Sequence, residues 1–343
     1  MYRKFYIVTA LLCAGLTAVA QAPVDSTAAE AANPNAACRA CVEAHEDFLA
    51  SDALQGRGSG TRNELLAATY IASELGAYGI APAGDQGGYL ETAPGLPKGS
   101  PRWRQASANL GTTANVIGVL RGSDASAKVL LLTAHLDHLG IIPSRPYKGD
   151  DLYNGADDDA SGCTAVLELA RMLALGPRPR RTVYFAFFGS EEDGGFGARY
   201  FVQHPPVPLT DMFANIEFEM IGWPDAAVPA HTLWLTGWQR SNLGPHLASE
   251  GARLVGDPHP DQHFFCRSDN IQVAYAGVVA QTVSSFGMQP MYHRPDDDLA
   301  HLDVGLMTAS ISSMIQPVRN LLNSNFVPAW KPGGQPRQGE KCY

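Results

Sequence analysis

The sequence has 343 residues, a hydrophobic content of 45% and a formal net charge of −9. That length and apolar content are enough for one large globular domain or two small ones. The acidic balance, with no long run of Lys and Arg, argues against nucleic acid as a partner.

The N-terminus has the three parts of a secretory signal peptide. Arg3 and Lys4 give a charged start, an apolar stretch follows, and small residues precede a cleavage point at Ala20. The apolar stretch is short for a bilayer span, and no other stretch is long and apolar enough for one. We therefore expect cleavage after Ala20, a secreted or periplasmic protein, and no stable insertion into a membrane.

Composition divides the chain into a signal peptide (1–20), a flexible segment (21–36), a single domain (37–326) and a peripheral tail (327–343). Five cysteines remain after cleavage, and an odd number leaves at least one thiol free or paired between chains. We expect a structural bridge involving Cys38, Cys41 or Cys342, and a buried thiol at Cys163.

Predicted helices and strands alternate along the chain. Helices are predicted over 37–50, from a cap at Thr61 to a stop at Gly79, and over 160–175, 192–203, 242–251 and 304–323. Strands are predicted over 115–120, 128–134, 182–188, 213–220, 232–235 and 277–283. This alternation favours a three-layer αβα fold with a mixed, largely parallel central sheet.

Residue types that bind metals follow several of the predicted strands. His135 ends one apolar run, the pair Glu191 and Glu192 follows another, and Glu219 ends a third. Asp158 lies where a loop becomes a helix, in NGADDDASG, and His293 lies in MYHRPDDD. Open α/β sheets bind ligands at the carboxyl ends of their strands, so we expect these side chains to converge.

Histidine nitrogens and carboxylate oxygens are zinc ligands, and a two-zinc site needs a carboxylate that bridges the ions. Asp158 fits the bridge. Asp137, two residues after His135 in an extended segment, is expected to orient the imidazole. The same alternation places His138 on the opposite side, where we expect a structural role.

Five motifs in this order resemble the secreted co-catalytic zinc aminopeptidases. They are HLDHLG, NGADDDASG, a strand followed by SEE and glycine, FEMIG and YHRPDD. Bacterial leucyl aminopeptidase and the peptidase domain of glutamate carboxypeptidase belong to that family, and the resemblance extends from about residue 49 to 322. It implies a phosphorylase/hydrolase-like zinc peptidase domain, two Zn²⁺ ions and peptide substrates.

The resemblance also implies roles for individual residues. Asp158 would bridge the two ions, with Asp157 as the second choice, and a cis peptide bond would follow it. His135 and Glu219 would complete one zinc site, and Glu192 and His293 the other. Glu191 would be the general base, with Asp137 supporting His135. The family usually has Asp where this chain has Glu219, so Glu217 stays open as an alternative ligand.

For the substrate, Tyr292 is expected to donate a hydrogen bond to the oxyanion. Phe196, Phe264 and Phe265 are expected to shape the pocket for the first residue, and Arg267 and Arg294 are conceivable partners for a substrate carboxylate. Three alternatives to the aminopeptidase stay open. They are a glutaminyl-peptide cyclase, against which Tyr292 counts because a Trp usually stands there, a carboxypeptidase or dipeptidase, and a non-catalytic binding domain.

Overall fold

The computed structural model describes residues 26–95 and 110–339, and a mixed β-sheet forms its centre. The proposed signal peptide lies outside the described residues. The strands are β1 (Ala81–Pro82), β2 (Leu90–Pro94), β3 (Thr112–Leu120), β4 (Val129–His135), β5 (Gly140–Ile141), β6 (Leu152–Tyr153), β7 (Val183–Phe188), β8 (Met212–Phe218), β9 (Leu233–Leu235), β10 (Leu254–Gly256) and β11 (Ala280–Ser284).

The main sheet has the strand order β1-β3-β7-β4-β8-β11-β9-β10, with β2 also paired to β3, and β5 and β6 pair separately. Its centre is parallel, because β4 pairs in that sense with both β7 and β8, and β8 with β11. The β3–β7 and β9–β11 pairs on either side are antiparallel. All seven residues of β4 are buried, as expected for a central strand covered on both faces.

Helices cover both faces of the sheet, which confirms the predicted fold class. They are α1 (Ser26–Ala31), α2 (Arg39–Leu49), α3 (Arg62–Ala77), α4 (Gly162–Leu175), α5 (Phe196–Gln203), α6 (Leu243–Ser249), α7 (Asn270–Tyr275) and α8 (Val304–Asn323). Alternate residues of β4 enter different cores: Leu130 and Leu132 join the core with α3, α4 and α8, and Leu131 joins the core with α5 and α7.

The structure differs from the sequence prediction near the N-terminus, where residues 21–36 were expected to be flexible. Within that range residues 26–31 form α1, and the Arg171 guanidinium of α4 donates hydrogen bonds to the carbonyl oxygens of Ala31, Asn33 and Ala36. These bonds satisfy backbone acceptors that a loop without secondary structure leaves open. The described part of the segment is therefore attached to the domain.

Helix α5 begins later than the sequence predicts. Helix α5 starts at Phe196, because Glu191–Gly194 forms a turn closed by a hydrogen bond from the Gly194 amide to the Glu191 carbonyl oxygen. Residues of the C-terminal tail contact the domain: the Trp330 indole donates to the carbonyl oxygen of Gly277. No helix of residues 26–95 or 110–339 has the length and hydropathy of a membrane span.

The cysteines follow the expectation in part. Cys38 and Cys41 form a disulfide at the start of α2, and Cys266 is also disulfide-bonded. Cys163 is a buried free thiol, and it donates to the carbonyl oxygen of His135 at 3.1 Å.

Candidate metal centre and active site

The sheet brings three of the candidate motifs to one edge. Strands β7, β4 and β8 are parallel neighbours, and His135 at the end of β4 pairs with Phe188 at the end of β7. Glu191 and Glu192 lie three and four residues after the end of β7, and Glu219 directly follows β8. The carboxyl ends of adjacent parallel strands therefore supply these side chains.

The loop before α4 carries Asp158 into the same place. It contains the cis peptide bond between Asp158 and Asp159 that the family resemblance implied. The Asp297 carboxylate accepts hydrogen bonds from the amide N–H groups of Asp157 and Asp158, at 2.8 and 3.1 Å. The Asp159 carboxylate accepts the amide of His135 at 3.2 Å, which ties the loop to the end of β4.

One group of candidate ligands consists of His135, Asp158 and Glu219, whose ligand atoms lie within 4.8 Å of one another. His135 Nε2 is 3.2 Å from Asp158 Oδ1. Glu217 is not a member of this group: its Oε2 accepts the amide of Asn270 at 2.5 Å and the hydroxyl of Thr282 at 3.1 Å, and its Oε1 has no hydrogen-bond partner among the described residues. The geometry supports Glu219 as the ligand from β8.

A second group forms around Glu192 and the other oxygen of Asp158. His293 Nε2 lies 3.1 Å from Asp158 Oδ2 and 3.2 Å from Glu192 Oε1. His138 Nδ1 lies 2.9 Å from Glu192 Oε1 and 3.8 Å from Asp158 Oδ2. Asp158 thus contributes one oxygen to each group, as a bridging carboxylate requires.

The expectation that His138 faces away from the other candidate residues is wrong. Strand β4 ends at His135, so the two-residue alternation of a strand does not extend to His138. His138 instead pairs with Gly58 in an isolated bridge and is fully buried. Its imidazole therefore belongs to the site.

Asp157 is not directed at the histidines. Its carboxylate accepts the amide of Gly222 at 2.7 Å and the side-chain amide of Gln289 at 2.6 Å. Of the two aspartates considered for the bridge, Asp158 is the one whose oxygens lie beside His135 and His293.

The donor set fits a divalent cation that binds nitrogen and carboxylate oxygen. His135 Nε2, Asp158 Oδ2 and Glu192 Oε1 are buried, yet none has a partner in hydrogen-bond geometry among the described residues. Burial opposes ionisation of Asp158, but the imidazoles of His135 and His293 hold the pKa of its carboxyl well below the usual range. Buried carboxylates of this kind are stabilised by paired charges or metals, and this set of ligand types is suited to zinc.

Asp137 anchors the turn that carries the two glutamates. Its carboxylate accepts the amide of Glu191 at 2.9 Å and the hydroxyl of Ser59. The backbone of Asp137 lies closer to His135 than its carboxylate does: His135 Nδ1 is 3.1 Å from the Asp137 carbonyl oxygen and 3.7 Å from Oδ1 of the carboxylate. Asp137 therefore positions both the imidazole and the glutamate pair.

Glu64 is a second anchor, which the sequence analysis did not identify. The fully buried carboxylate accepts the amides of Gly60 and Ser190, at 2.8 and 3.0 Å, and the hydroxyl of Thr113 at 2.6 Å. Ser190 has a positive φ of 56° and directly precedes the glutamate pair. No local pattern signals this role, because Glu64 lies more than 120 residues away in the sequence.

The environment of Glu191 suits proton transfer. Burial raises the pKa of its carboxyl well above the ordinary value; His135 opposes this, and the carboxylates of Asp269 and Glu192 add to it. General bases with raised pKa values are common in active sites.

An apolar cleft adjoins the candidate metal ligand Glu219. Phe264 and Tyr292 line it, together with Trp234 and Phe286. Tyr292 also stacks on the His293 ring with a centroid separation of 3.9 Å.

Phe265 and Phe196 are not among the residues that line this cleft in the described chain. Phe265 packs under the Arg240 guanidinium and against Trp330, so it is a core residue. Phe196 is the first residue of α5. Neither position supports the expectation of a substrate contact.

The chain belongs to peptidase family M28, whose family model matches residues 115–317. It is 26% identical over 200 residues to aminopeptidase YwaD of Bacillus subtilis, covering 56% of this chain and 41% of that relative. It spans as little as 10% of the length of other curated relatives that it matches.

Two solved structures show the same fold. The LapA aminopeptidase of Legionella pneumophila matches with a TM-score of 0.62 and 18% identity, covering 88% of this chain and 76% of that one. The glutaminyl cyclase of Porphyromonas gingivalis matches with a TM-score of 0.63 and 16% identity, covering 84% of this chain and 99% of that one.

Proposed function

We propose that this protein is an exported zinc aminopeptidase that binds two Zn²⁺ ions and releases N-terminal residues from peptides. One observation carries the proposal: two groups of candidate ligands share the buried carboxylate of Asp158, and a glutamate suited to proton transfer lies beside them. Membership of peptidase family M28 supports hydrolysis of peptides as the reaction.

In this proposal His135, Asp158 and Glu219 hold one ion, and Asp158, Glu192 and His293 hold the other. The family resemblance makes His293 the ligand, and its Nε2 lies 3.1 Å from Asp158 Oδ2. His138 is the alternative ligand, because its ligand atom and those of Asp158 and Glu192 also lie within 4.8 Å of one another.

The bound metals would lower the pKa of water in the site and polarise the substrate carbonyl group. Glu191 accepts a proton from the attacking water and delivers it to the nitrogen of the leaving group. Tyr292 keeps its hydroxyl proton, because burial raises the pKa of the phenol, and donates a hydrogen bond to the developing oxyanion.

The domain boundaries and the location of the protein are part of the proposal. Residues 37–326 would form the peptidase domain, with 327–343 as a peripheral tail. Residues 1–20 would be removed as a signal peptide, which would make the mature protein secreted or periplasmic. Mass spectrometry of the N-terminus of the exported protein tests the cleavage after Ala20.

The experiment that tests the reaction compares the wild type with Glu191→Gln. We expect two zinc ions per chain by elemental analysis in both proteins, and hydrolysis of aminoacyl 4-nitroanilides at least about 10²-fold slower in the variant. Chelation should abolish the wild-type activity and zinc should restore it. A variant that binds zinc and hydrolyses at the wild-type rate would refute the role of Glu191.

Glutaminyl cyclisation is the second candidate, because a cyclase shares the fold. A peptide that begins with Gln separates the two activities: a cyclase releases ammonia and leaves the chain intact, whereas an aminopeptidase releases free Gln. N-blocked peptides and dipeptides test the carboxypeptidase and dipeptidase alternatives in the same assay.

A further inference from the structure

One positively charged side chain, that of Arg267, is among the described residues that line the cleft beside the candidate metal centre. Arg267 lines this cleft together with Glu219, Phe264 and Tyr292, and its side chain is exposed. Its guanidinium carbon lies 4.9 Å from the ring centroid of Phe264 and 5.9 Å from that of Tyr292. The two aromatic rings therefore hold the guanidinium group in place.

The donors of this guanidinium are mostly unused. Within the described chain its one hydrogen bond is from Nη2 to the Tyr292 hydroxyl, at a long 3.4 Å, and no carboxylate lies within ion-pair distance of it. Arg57 differs, because its buried guanidinium donates to four carbonyl groups. A positioned arginine with free N–H groups matches a carboxylate.

Polar groups line the cleft as well as aromatic rings. Its aromatic walls carry an indole N–H of Trp234 that has no hydrogen-bond partner among the described residues. The Thr236 hydroxyl accepts the amide of Thr282 and donates to no acceptor in the same part of the chain. A side chain that brings hydrogen-bond acceptors satisfies such donors better than an aliphatic one does.

We propose that Arg267 makes this enzyme selective for substrates whose first residue has a carboxylate side chain. The inference rests on the proposed aminopeptidase function and names its substrate class. Glu219 lines the cleft, and its carboxylate is an acceptor for the charged amine of a substrate with a free N-terminus. The α-carbon of the first residue bears both that amine and the side chain. An amine held beside Glu219 therefore places the side chain in this cleft.

The C-terminal carboxylate of a short peptide has the same chemistry, but it lies beyond the scissile bond. We therefore assign Arg267 to the first residue, and the experiment separates the two sources. The substrates are glutamyl, glutaminyl and leucyl 4-nitroanilides, which have no terminal carboxylate, and the peptides Leu-Ala and Leu-Ala amide, which differ only in that group.

We expect the wild type to favour the glutamyl over the glutaminyl substrate in kcat/KM. Arg267→Gln should lower that ratio by about tenfold, which is the loss of one partly exposed charge-assisted contact, and Arg267→Lys should retain part of it. Arg39→Gln is the matched control: it removes the same charge from an exposed arginine of α2 that is not among the residues lining the cleft, so the ratio should stay unchanged.

Calorimetry of free L-glutamate and L-glutamine provides a measurement that needs no turnover. If the wild type binds L-glutamate more tightly than L-glutamine and Arg267→Gln does not, the proposal for Arg267 is supported. If no anilide is hydrolysed as well, only the proposed aminopeptidase function fails. Equal ratios in the wild type and Arg267→Gln overturn the proposal. So does a preference for Leu-Ala over its amide that disappears in Arg267→Gln, because Arg267 would then recognise the terminal carboxylate.

Discussion

Replacing Arg57 with Met should destabilise the protein strongly, although Arg57 is not a proposed ligand. The guanidinium is 1% exposed and donates to four carbonyl oxygens, those of Leu49, Leu136, Asn154 and Gly155, at 2.6 to 2.9 Å. Leu136 follows the candidate ligand His135, and Asn154 and Gly155 precede the loop that carries Asp158. Methionine fills a similar volume but has no donor.

The magnitude follows from the acceptors that the change leaves buried. A hydrogen bond to a charged group contributes about 1.5–3 kcal/mol, so four of them sum to about 6–12 kcal/mol. The cost of burying the guanidinium offsets part of that sum, and removing one partner of a buried charged arrangement typically costs about 3–5 kcal/mol. We expect a loss of about 4 kcal/mol in the free energy of unfolding.

Urea unfolding of the metal-free protein measures this loss without a contribution from zinc binding. Arg39→Met is the control, because Arg39 forms an exposed pair with Glu43 at 2.9 Å one helical turn away. Such a pair contributes about 0.3–0.5 kcal/mol. Equal losses in the two variants, or a loss below about 1 kcal/mol for Arg57→Met, would contradict the reasoning.

Three other predictions concern the site and its surroundings. Glu219→Gln should lower the zinc content from two ions to one, whereas Glu217→Gln should keep both ions, because Glu217 is bonded to Asn270 and Thr282; elemental analysis after dialysis decides. Asp137→Asn should reduce kcat/KM by about 10–100-fold, since it disturbs the amide contact that positions Glu191; retention of full activity would exclude that role. Burial raises the pKa of Glu46 from 4.5 to about 8. The folded state therefore keeps a proton that the unfolded state releases, and stability falls between about pH 4.5 and pH 8, by on the order of 4 kcal/mol. Glu46→Gln should remove this slope from urea unfolding of the metal-free protein at pH 5 and 8, and Glu43→Gln, on the exposed face of the same helix, should not.

Sequence reasoning worked best where a residue follows a strongly apolar strand. His135 ends a strand that is buried throughout, and Glu192 and Glu219 follow two others, so the sheet brings all three to the same edge. It failed for His138, because the strand ends three residues earlier and the alternation ends with it. The same limit applies to Phe264 and Phe265, which are adjacent and equally apolar, yet only Phe264 lines the cleft.

The anchors of the site could not be predicted, because their partners are distant in the sequence. Asp297 holds the amides of Asp157 and Asp158 from about 140 residues away, and Glu64 holds Ser190 from 126 residues away. Contacts of this kind depend on how helices and loops pack on the sheet, and no local pattern in the sequence contains that information.

The three consecutive aspartates of NGADDDASG show why residue type alone does not identify a metal ligand. Asp157 accepts the amide of Gly222, Asp159 accepts the amides of Gly162 and Met220 at 2.9 and 3.1 Å, and only Asp158 lies between the histidines. The outer two carboxylates tie the loop to the residues that follow β8, which leaves the middle one directed at the site. A carboxylate held by backbone amides is committed to the structure, whereas one whose buried oxygen has no hydrogen-bond donor is available to a cation. Asp158 and Glu192 each have a buried oxygen without a hydrogen-bond donor among the described residues, whereas both oxygens of Asp159 accept backbone amides, so Asp159 is an anchor and the other two are available to a cation.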